Sequence, residues 1–375
     1  MRADVFCRVI DNFGDIGVTW RLARQLTSEF HWEIRLWVDN LASFARIEPR
    51  LDPDAAAQSL AGVNIRRWPR AHEDSHIEPA QLVIAAFSCE PPPGVVQRMQ
   101  GSSTILVNLE YLSAEPWVEG CHALPALRAD GLNAHYFFPG FNAHTGGLPR
   151  EATLARERKD WIGDEAGQRS LLARAGLSES GMQLWDAQAG TRLVTLFCYP
   201  HAPIAALVDS LMAQRHSTLL VIPGGTLPPL KSETRGALRI EQIDFLTQTD
   251  YDRLLWMADL NFVRGEDSIV RAIWAGKPAV WQLYPQADAT HQAKLEAWLA
   301  IAGLPPTAQA AIRCWNATPE RVEAEKGALK KALSPVNFAA WSDATQRFRQ
   351  AQMQIPDLAS SLDLFCRKKL ELLAT

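Results

Sequence analysis

Apolar residues in this chain fall into short unbroken runs separated by longer amphipathic stretches, and this alternation occurs in two series. Val5 to Ile10 is the first run. After it, Leu22, Leu26 and Phe30, with Ala23 beside them, recur at the spacing of one helix face. Trp32 to Val38 alternates and closes at Asp39-Asn40. Leu41 to Ile47 reads as a short helix and Val63 to Trp68 as a short strand. Gln81 to Phe87 is a continuous apolar run, the mark of a parallel strand covered on both faces, and Thr104 to Leu109 reads as another buried strand. Pro91-Pro92-Pro93-Gly94 breaks the chain between them, and Val95 to Met99 starts a helix. The series predicts a parallel sheet with helices on both faces.

The periodicity weakens from Leu124 to Pro149. There His135-Tyr136-Phe137-Phe138-Pro139-Gly140-Phe141 reads as a loop with exposed aromatics, serving either as a cap on the sheet or as a surface for a substrate or partner. Glu151 to Ile162 and Gln168 to Leu177 read as charged helices, and Ser178 to Gly190 as a domain boundary. A second series begins at Thr191. Its strands are Leu193 to Cys198, Thr218 to Ile222, Leu238 to Ile243, Leu260 to Val263 and Pro278 to Leu283. Helices are expected at Pro203 to Gln214, at Thr249-Asp250-Tyr251-Asp252 running to Met257, and at Glu266 to Ala275, stopped by Gly276. His291 to Ala302 and Pro319 to Leu333 also read as helices. The expected division is a first domain over 1–182, a second over 183–357, and an amphipathic tail over 358–375 returning to the first. Two α/β domains of similar size imply a cleft between them.

A length of 375 residues agrees with two domains. A hydrophobic content of 47% and a charged content of 21% are globular values, and a net charge of −4 argues against a general nucleic-acid or membrane-surface binder. The start, Met1-Arg2-Ala3-Asp4, reads as no secretory signal, and no apolar run approaches a membrane span. Cys7, Cys89, Cys121, Cys198, Cys314 and Cys366 are scattered without a C-x-x-C pair, so they read as reduced core residues of a cytoplasmic protein.

Chemistry concentrates where the first strand turns into the first helix, at Asp11-Asn12-Phe13-Gly14-Asp15-Ile16-Gly17. In an open parallel sheet this turn lies at the carboxyl edge, where ligands bind. Gly14 and Gly17 would allow close approach to the backbone, and the helix start offers free N–H groups. Asp39 lies close to the roughly 20-residue spacing of a dinucleotide-binding acid, but the full G-x-G-x-x-G is absent and Asp15 would face a pyrophosphate. A calcium loop fails because Phe13 replaces an oxygen ligand and no Glu closes the loop. Asp11 and Asp15 then either cap the turn or handle a proton or a cation. Asp15, between a glycine and a helix start, is expected to be exposed.

The second strand-to-helix turn with chemistry is Arg264-Gly265-Glu266-Asp267-Ser268. Ser268 and nearby N–H groups suit phosphate oxygens, Arg264 adds a charge-assisted contact, and Glu266 accepts from sugar hydroxyls. The competing reading is a plain N-cap by Asp267 or Ser268. Tyr199, Phe245 and Tyr284-Pro285-Gln286 stand at neighbouring strand ends, where rings can stack on a base or sugar. With no Asp-x-Asp pair in view, no cofactor and no metal are expected. This pairing of turns suits a nucleotide-sugar transferase with the donor on the second domain and an acceptor deprotonated by the first.

Asp11-Asn12-Phe13-Gly14-Asp15-Ile16-Gly17-Val18-Thr19-Trp20-Arg21-Leu22-Ala23-Arg24-Gln25-Leu26, with Asn261-Phe262-Val263-Arg264-Gly265-Glu266-Asp267-Ser268, resembles the EarP family, the protein-arginine rhamnosyltransferases of elongation factor P. The resemblance runs over nearly the whole chain, and neither motif departs from the family pattern. It implies the GT-B fold, two Rossmann-like domains facing across a cleft. It also implies inverting transfer of L-rhamnose from dTDP-β-L-rhamnose to an arginine of elongation factor P, whose N-terminal domain is the docking partner. Nucleic acid and membrane are not expected partners. The family's acids map onto Asp11, Asp15 and Glu266, with Asp15 expected as the base, Asp11 as an orienting acid and Glu266 in donor binding. Donor contacts are expected from Phe13, Gly14, Gly17, Tyr199, Gln242, Phe245, Arg264, Asp267, Ser268, Tyr284 and Gln286. Another GT-B enzyme with a different donor or acceptor, or a non-catalytic binder of elongation factor P, are the alternatives.

Overall fold

Two sheets organise the chain, each inside its own unit: unit 1 is Met1–Ala152 with Gln352–Thr375, and unit 2 is Thr153–Ala351. The structure, a computed structural model, describes all residues except 11–12, 71–72, 88, 188–189, 226–230, 286–289, 319–320, 323–326 and 375, and the side chains of 187 and 374. Asp11 and Gln286, both expected in the site, lie outside the described residues, as does part of the helix expected over Pro319 to Leu333.

Unit 1 contains β1 (Arg2–Cys7), β2 (Glu33–Val38), β3 (Ala57–Leu60), β4 (Val63–Arg67), β5 (Leu82–Ala86), β6 (Ile105–Leu109), β7 (Pro125–Leu127) and β8 (Asn133–Phe137). Their order is β3-β4-β2-β1-β5-β6-β8-β7, parallel throughout except for the antiparallel edge strands β3 and β7. The apolar runs become the central strands for the reason given by their pattern: β5 and β6 are buried at every position. The region read as an exposed aromatic loop contains β8, paired in parallel with β6, and Phe137, Phe138 and Phe141 are all buried. Phe137 packs against Phe365 of the last helix, with ring centroids 5.6 Å apart, so burial on both sides overrides the loop-like composition.

That last helix, Leu358–Ala374, belongs to unit 1. There Trp32 Nε1 donates to Asp363 Oδ1 at 2.7 Å, and the Leu358 N–H donates to Leu148 O at 3.1 Å. Among the described residues no helix is long and apolar enough to cross a membrane. Five of the cysteines are buried and Cys121 is exposed, so it departs from the core reading.

Unit 2 contains β9 (Arg192–Leu196), β10 (Thr218–Pro223), β11 (Glu233–Arg235), β12 (Leu238–Ile243), β13 (Leu260–Arg264) and β14 (Ala279–Gln282), in the order β11-β12-β10-β9-β13-β14. Only β11 is antiparallel. The division between units falls at Ala152/Thr153, ahead of the boundary expected at 182/183. The intervening helices Leu154–Ile162, Glu165–Arg174 and Glu179–Ala187 are part of unit 2. Trp161 Nε1 donates to Arg253 O at 3.0 Å and Arg158 Nε to Ala275 O at 2.9 Å. The stretch read as the domain boundary, Ser178 to Gly190, thus holds the helix Glu179–Ala187. The cap of the helix Gln248–Met257 is Thr247, whose hydroxyl accepts from Asp250 N at 3.2 Å, rather than Thr249.

Both sheets reverse their direction of growth beside their first strand, between β1 and β5 in unit 1 and between β9 and β13 in unit 2. Such switch points open a crevice at the carboxyl edge, which is where each chemistry-bearing turn leaves its sheet.

Candidate active site

In unit 1 the chain leaves β1 at Cys7 and is folded back by two carboxylates. Asp39, at the end of β2, accepts the Val9 N–H at 2.9 Å, a use that answers for its position without a ribose. Asp15 Oδ2 accepts the Ile10 N–H at 2.8 Å, and its backbone oxygen accepts from Thr19 Oγ1 at 2.8 Å. Asp15 stands in the first turn of the helix Gly14–Phe30, where the helix dipole favours a negative charge. It is only 3% exposed, so the expectation of an exposed Asp15 is corrected. Gly14 and Gly17 lie inside the first helical turn, Gly17 donating to Phe13 O at 2.9 Å, and Arg46 stacks over the Phe13 ring at 5.2 Å. Burial, opposed by Thr19 and reinforced by the charge of Asp15, pushes the Cys7 thiol well up, so this cysteine stays an inert thiol.

Phe87, which follows β5, was not among the expected site residues and takes φ +56. A phenylalanine in the left-handed region is strained, and such strain gathers at working sites. Its N–H donates to Leu109 O at 2.7 Å and its ring stacks on Tyr111 at 4.9 Å.

In unit 2 the second turn is built on β13. Its Asn261 is fully buried, accepting from Thr195 Oγ1 at 2.8 Å and donating to Leu255 O at 3.1 Å. The strand ends at Arg264, and Gly265 takes φ +68, which lets the chain turn straight into the helix Gly265–Ala275. Trp281 Nε1 fixes the turn by donating to Gly265 O at 2.9 Å. Arg264 is 8% exposed and lies over two rings, Phe197 at 4.4 Å and Tyr199 at 4.7 Å. These rings stand two residues apart in the extended chain after β9, so both face the same side. That spacing was the available signal for Phe197. Tyr199 also meets Tyr284 edge-on at 5.4 Å, and Tyr284 is exposed. Ser268 is 9% exposed in the first turn of the helix, with Glu266 and Asp267. Glu266 is ion-paired with Lys294, which sequence reading did not anticipate. Asp267 Oδ2 receives a long contact from Gln248 Nε2 at 3.5 Å.

Tyr199, Arg264 and Tyr284 therefore form one cluster, and Asp267 and Ser268 lie on the helix that begins beside it. Phe245 and Gln242 belong to β12 and the segment after it, separated from β13 by β10 and β9. Phe245 is half-buried and its backbone runs so close to Gly224 that a Cβ there would meet Phe245 N at 2.8 Å. Gln242 is exposed, and its N–H donates to Ser232 Oγ at 3.1 Å. Among the described residues no group of three or more His, Cys, Asp or Glu converges as metal ligands would. The unit 2 turn supplies what an anionic phosphate needs, namely the N–H groups of a helix start, a hydroxyl and a buried guanidinium braced by aromatic rings.

The model of the family described as Elongation-Factor P (EF-P) rhamnosyltransferase EarP matches residues 3–367. A protein-arginine rhamnosyltransferase of Pseudomonas aeruginosa is 42% identical over 383 aligned positions, covering 96% of this chain and 98% of the relative. That of Pseudomonas putida is 39% identical, covering 98% and 99%. A solved structure from work on EarP-mediated arginine glycosylation of translation elongation factor EF-P superposes with a TM-score of 0.63 at 28% identity, covering 98% of this chain and 99% of that one. MurG of Acinetobacter baumannii shares the fold alone, with a TM-score of 0.52 at 12% identity and 97% of both chains covered. The architecture is that of the GT-B glycosyltransferases, two Rossmann-like units.

Proposed function

The chain belongs to the EarP family of elongation factor P rhamnosyltransferases, and from that premise we propose that it moves L-rhamnose from dTDP-β-L-rhamnose to an arginine of elongation factor P with inversion at the anomeric carbon. The observation that carries the donor half of this reading is Arg264, buried against Phe197 and Tyr199 at the head of the helix Gly265–Ala275. The diphosphate sits there, held by Arg264, Ser268 and the helix N–H groups, with an aromatic ring of the strand ends, Tyr199 or Phe245, against the thymine.

A guanidinium has a pKa of about 12.5–13.8, so it needs a carboxylate to localise its charge and take its proton. Asp15 is that base, and Asp11 supports it. A guanidine nitrogen forms the new C–N bond while the bond from the anomeric carbon to the β-phosphate oxygen breaks. The electron pair leaves with dTDP, and the proton passes to Asp15. One displacement inverts the centre. The leaving diphosphate is neutralised by the protein's own cations and N–H groups, without a metal ion. The acceptor is a translation factor, so the reaction is read as cytoplasmic.

Incubating the protein with elongation factor P and dTDP-β-L-rhamnose should add one deoxyhexose to the intact mass of the acceptor, in chelator as in magnesium. No mass gain overturns the activity, and a gain that needs a metal overturns the metal-free reading. For the donor site, Arg264→Ala should weaken dTDP binding by about 1.5–3 kcal/mol in a calorimetric titration. Arg264→Lys should not recover it, because an ammonium lacks the planar stack on two rings. Wild-type affinity in Arg264→Ala would move the diphosphate elsewhere.

A further inference from the structure

Gln282, the last residue of β14, is fully buried, and its amide reaches the segment that follows β9. Its Oε1 accepts the Tyr199 N–H at 2.8 Å, and its Nε2 lies 3.1 Å from Nε2 of His201. These contacts fix a tautomer. A backbone N–H only donates, so the amide oxygen must face Tyr199 and the NH2 must face His201. An NH2 group also only donates, so His201 Nε2 is the acceptor and the ring proton sits on Nδ1. A doubly protonated ring would set N–H against NH2. Burial, and then the charge of His291, act in the same sense and hold the imidazole below its ordinary pKa.

The sheet order places β13 between β9 and β14, so the Tyr199–Gln282–His201 bridge spans the carboxyl end of β13, where Arg264 and Gly265 lead into the helix. The His201 ring lies parallel to Tyr199, at 6.1 Å and 9°, and Tyr199 in turn covers Arg264 at 4.7 Å. His201 is exposed, and among the described residues no hydrogen bond engages its Nδ1. We infer that His201 is a further donor-contacting residue, its fixed Nδ1–H donating to an oxygen of the nucleotide diphosphate, with Gln282 as the residue that positions it. This rests on the reading that the diphosphate binds at the head of the helix Gly265–Ala275. A neutral donor with a locked proton adds a directed contact at this point without the desolvation cost of another cation.

The test combines nitrogen NMR of histidine-labelled protein with dTDP titrations. Wild type at pH 7 should show His201 as the Nδ1–H tautomer, with its Nδ1 resonance shifting when dTDP is added. His201→Phe should weaken dTDP binding roughly 10- to 100-fold, the worth of a hydrogen bond to a charged group. His201→Asn, which can offer an amide N–H near the Nδ1 position, should stay within a few fold of wild type. Gln282→Leu should release the tautomer. An Nε2–H or doubly protonated ring in wild type, or undiminished dTDP affinity in His201→Phe, overturns the inference. If wild type does not bind dTDP at all, the donor reading fails separately. Inorganic pyrophosphate then serves as the probe, with the same shift expected and the same outcomes counting against His201.

Discussion

Asp15→Asn will abolish rhamnosyl transfer while the fold and the affinity for dTDP stay near wild type. The amide has the size of the carboxylate, and its oxygen can still accept the Ile10 N–H that Asp15 holds at 2.8 Å, so the turn after β1 stays closed. The amide cannot accept the proton that the guanidinium must shed. Losing a general base costs about 10²–10⁴ in rate. The loss here should reach the top of that range or beyond it, because the same carboxylate also offsets the charge of a cationic nucleophile. Donor affinity should survive because the proposed diphosphate contacts all lie in unit 2. Asp15→Ala should do further damage, since it leaves the Ile10 N–H without its partner and removes about 0.5–1.5 kcal/mol of stability. Single-turnover transfer read by mass, dTDP calorimetry and thermal melting separate these effects. Transfer by Asp15→Asn within ten-fold of wild type would take Asp15 out of the base role. A collapse of dTDP affinity would assign it to the donor site instead.

Burial of Asp15 is the feature its sequence neighbourhood did not convey. A glycine and a helix start describe the backbone around it, but burial depends on the chain after β1 coming back far enough for the Ile10 N–H to donate to the carboxylate. The central strands were legible because each is covered on both faces and therefore apolar along almost its whole length, as in β5 and β10. Register and termini were less so: the run from Val5 to Ile10 leaves the sheet at Cys7 once Asp39 and Asp15 capture the next N–H groups. The strand β8 escaped notice because its His, Tyr and Asn look like loop residues, and Phe137 is buried by partners distant in sequence, Phe365 of the returning helix Leu358–Ala374 among them. The helices Pro306–Trp315 and Pro335–Gln352 were not anticipated either.

The site divides along the same line. Arg264, Ser268 and Tyr199 could be placed because strand-to-helix turns in parallel sheets have a fixed geometry. Lys294, Gln282 and His201 could not, because their roles come from side chains meeting between elements distant in sequence. The ion pair of Lys294 with Glu266 also changes what Glu266 can do. It is already engaged by a cation before any substrate arrives, so its expected service to sugar hydroxyls starts from a paired state.

Asp252→Ala will cost unit 2 about 3–5 kcal/mol, with a fall in melting temperature of about 6–20 °C for a domain of this size class. Asp252 lies on the helix Gln248–Met257 and accepts from Nη2 of Arg271, on the helix Gly265–Ala275, at 2.7 Å. The side chains are 5% and 2% exposed, and Arg271 Nε has no hydrogen bond in its buried position. Deleting the carboxylate leaves a guanidinium in the core without the Asp252 charge, which is the expensive way to break a buried pair. The consequence reaches function because Arg271 is one turn along from Ser268 on the helix whose head is the proposed diphosphate site. Replacing both charges, as in Asp252→Leu with Arg271→Met, should recover most of the loss, since apolar packing of similar volume substitutes for a buried pair with little penalty. Calorimetric melting with and without dTDP reads both effects. The double variant should regain the stabilisation by dTDP, while Asp252→Ala should show it reduced. A loss under 1 kcal/mol in the single variant would mean that the pair does not pin the two helices together. Failure of the double variant to recover would mean that shape at this contact, and not charge, holds the anion-binding helix in place.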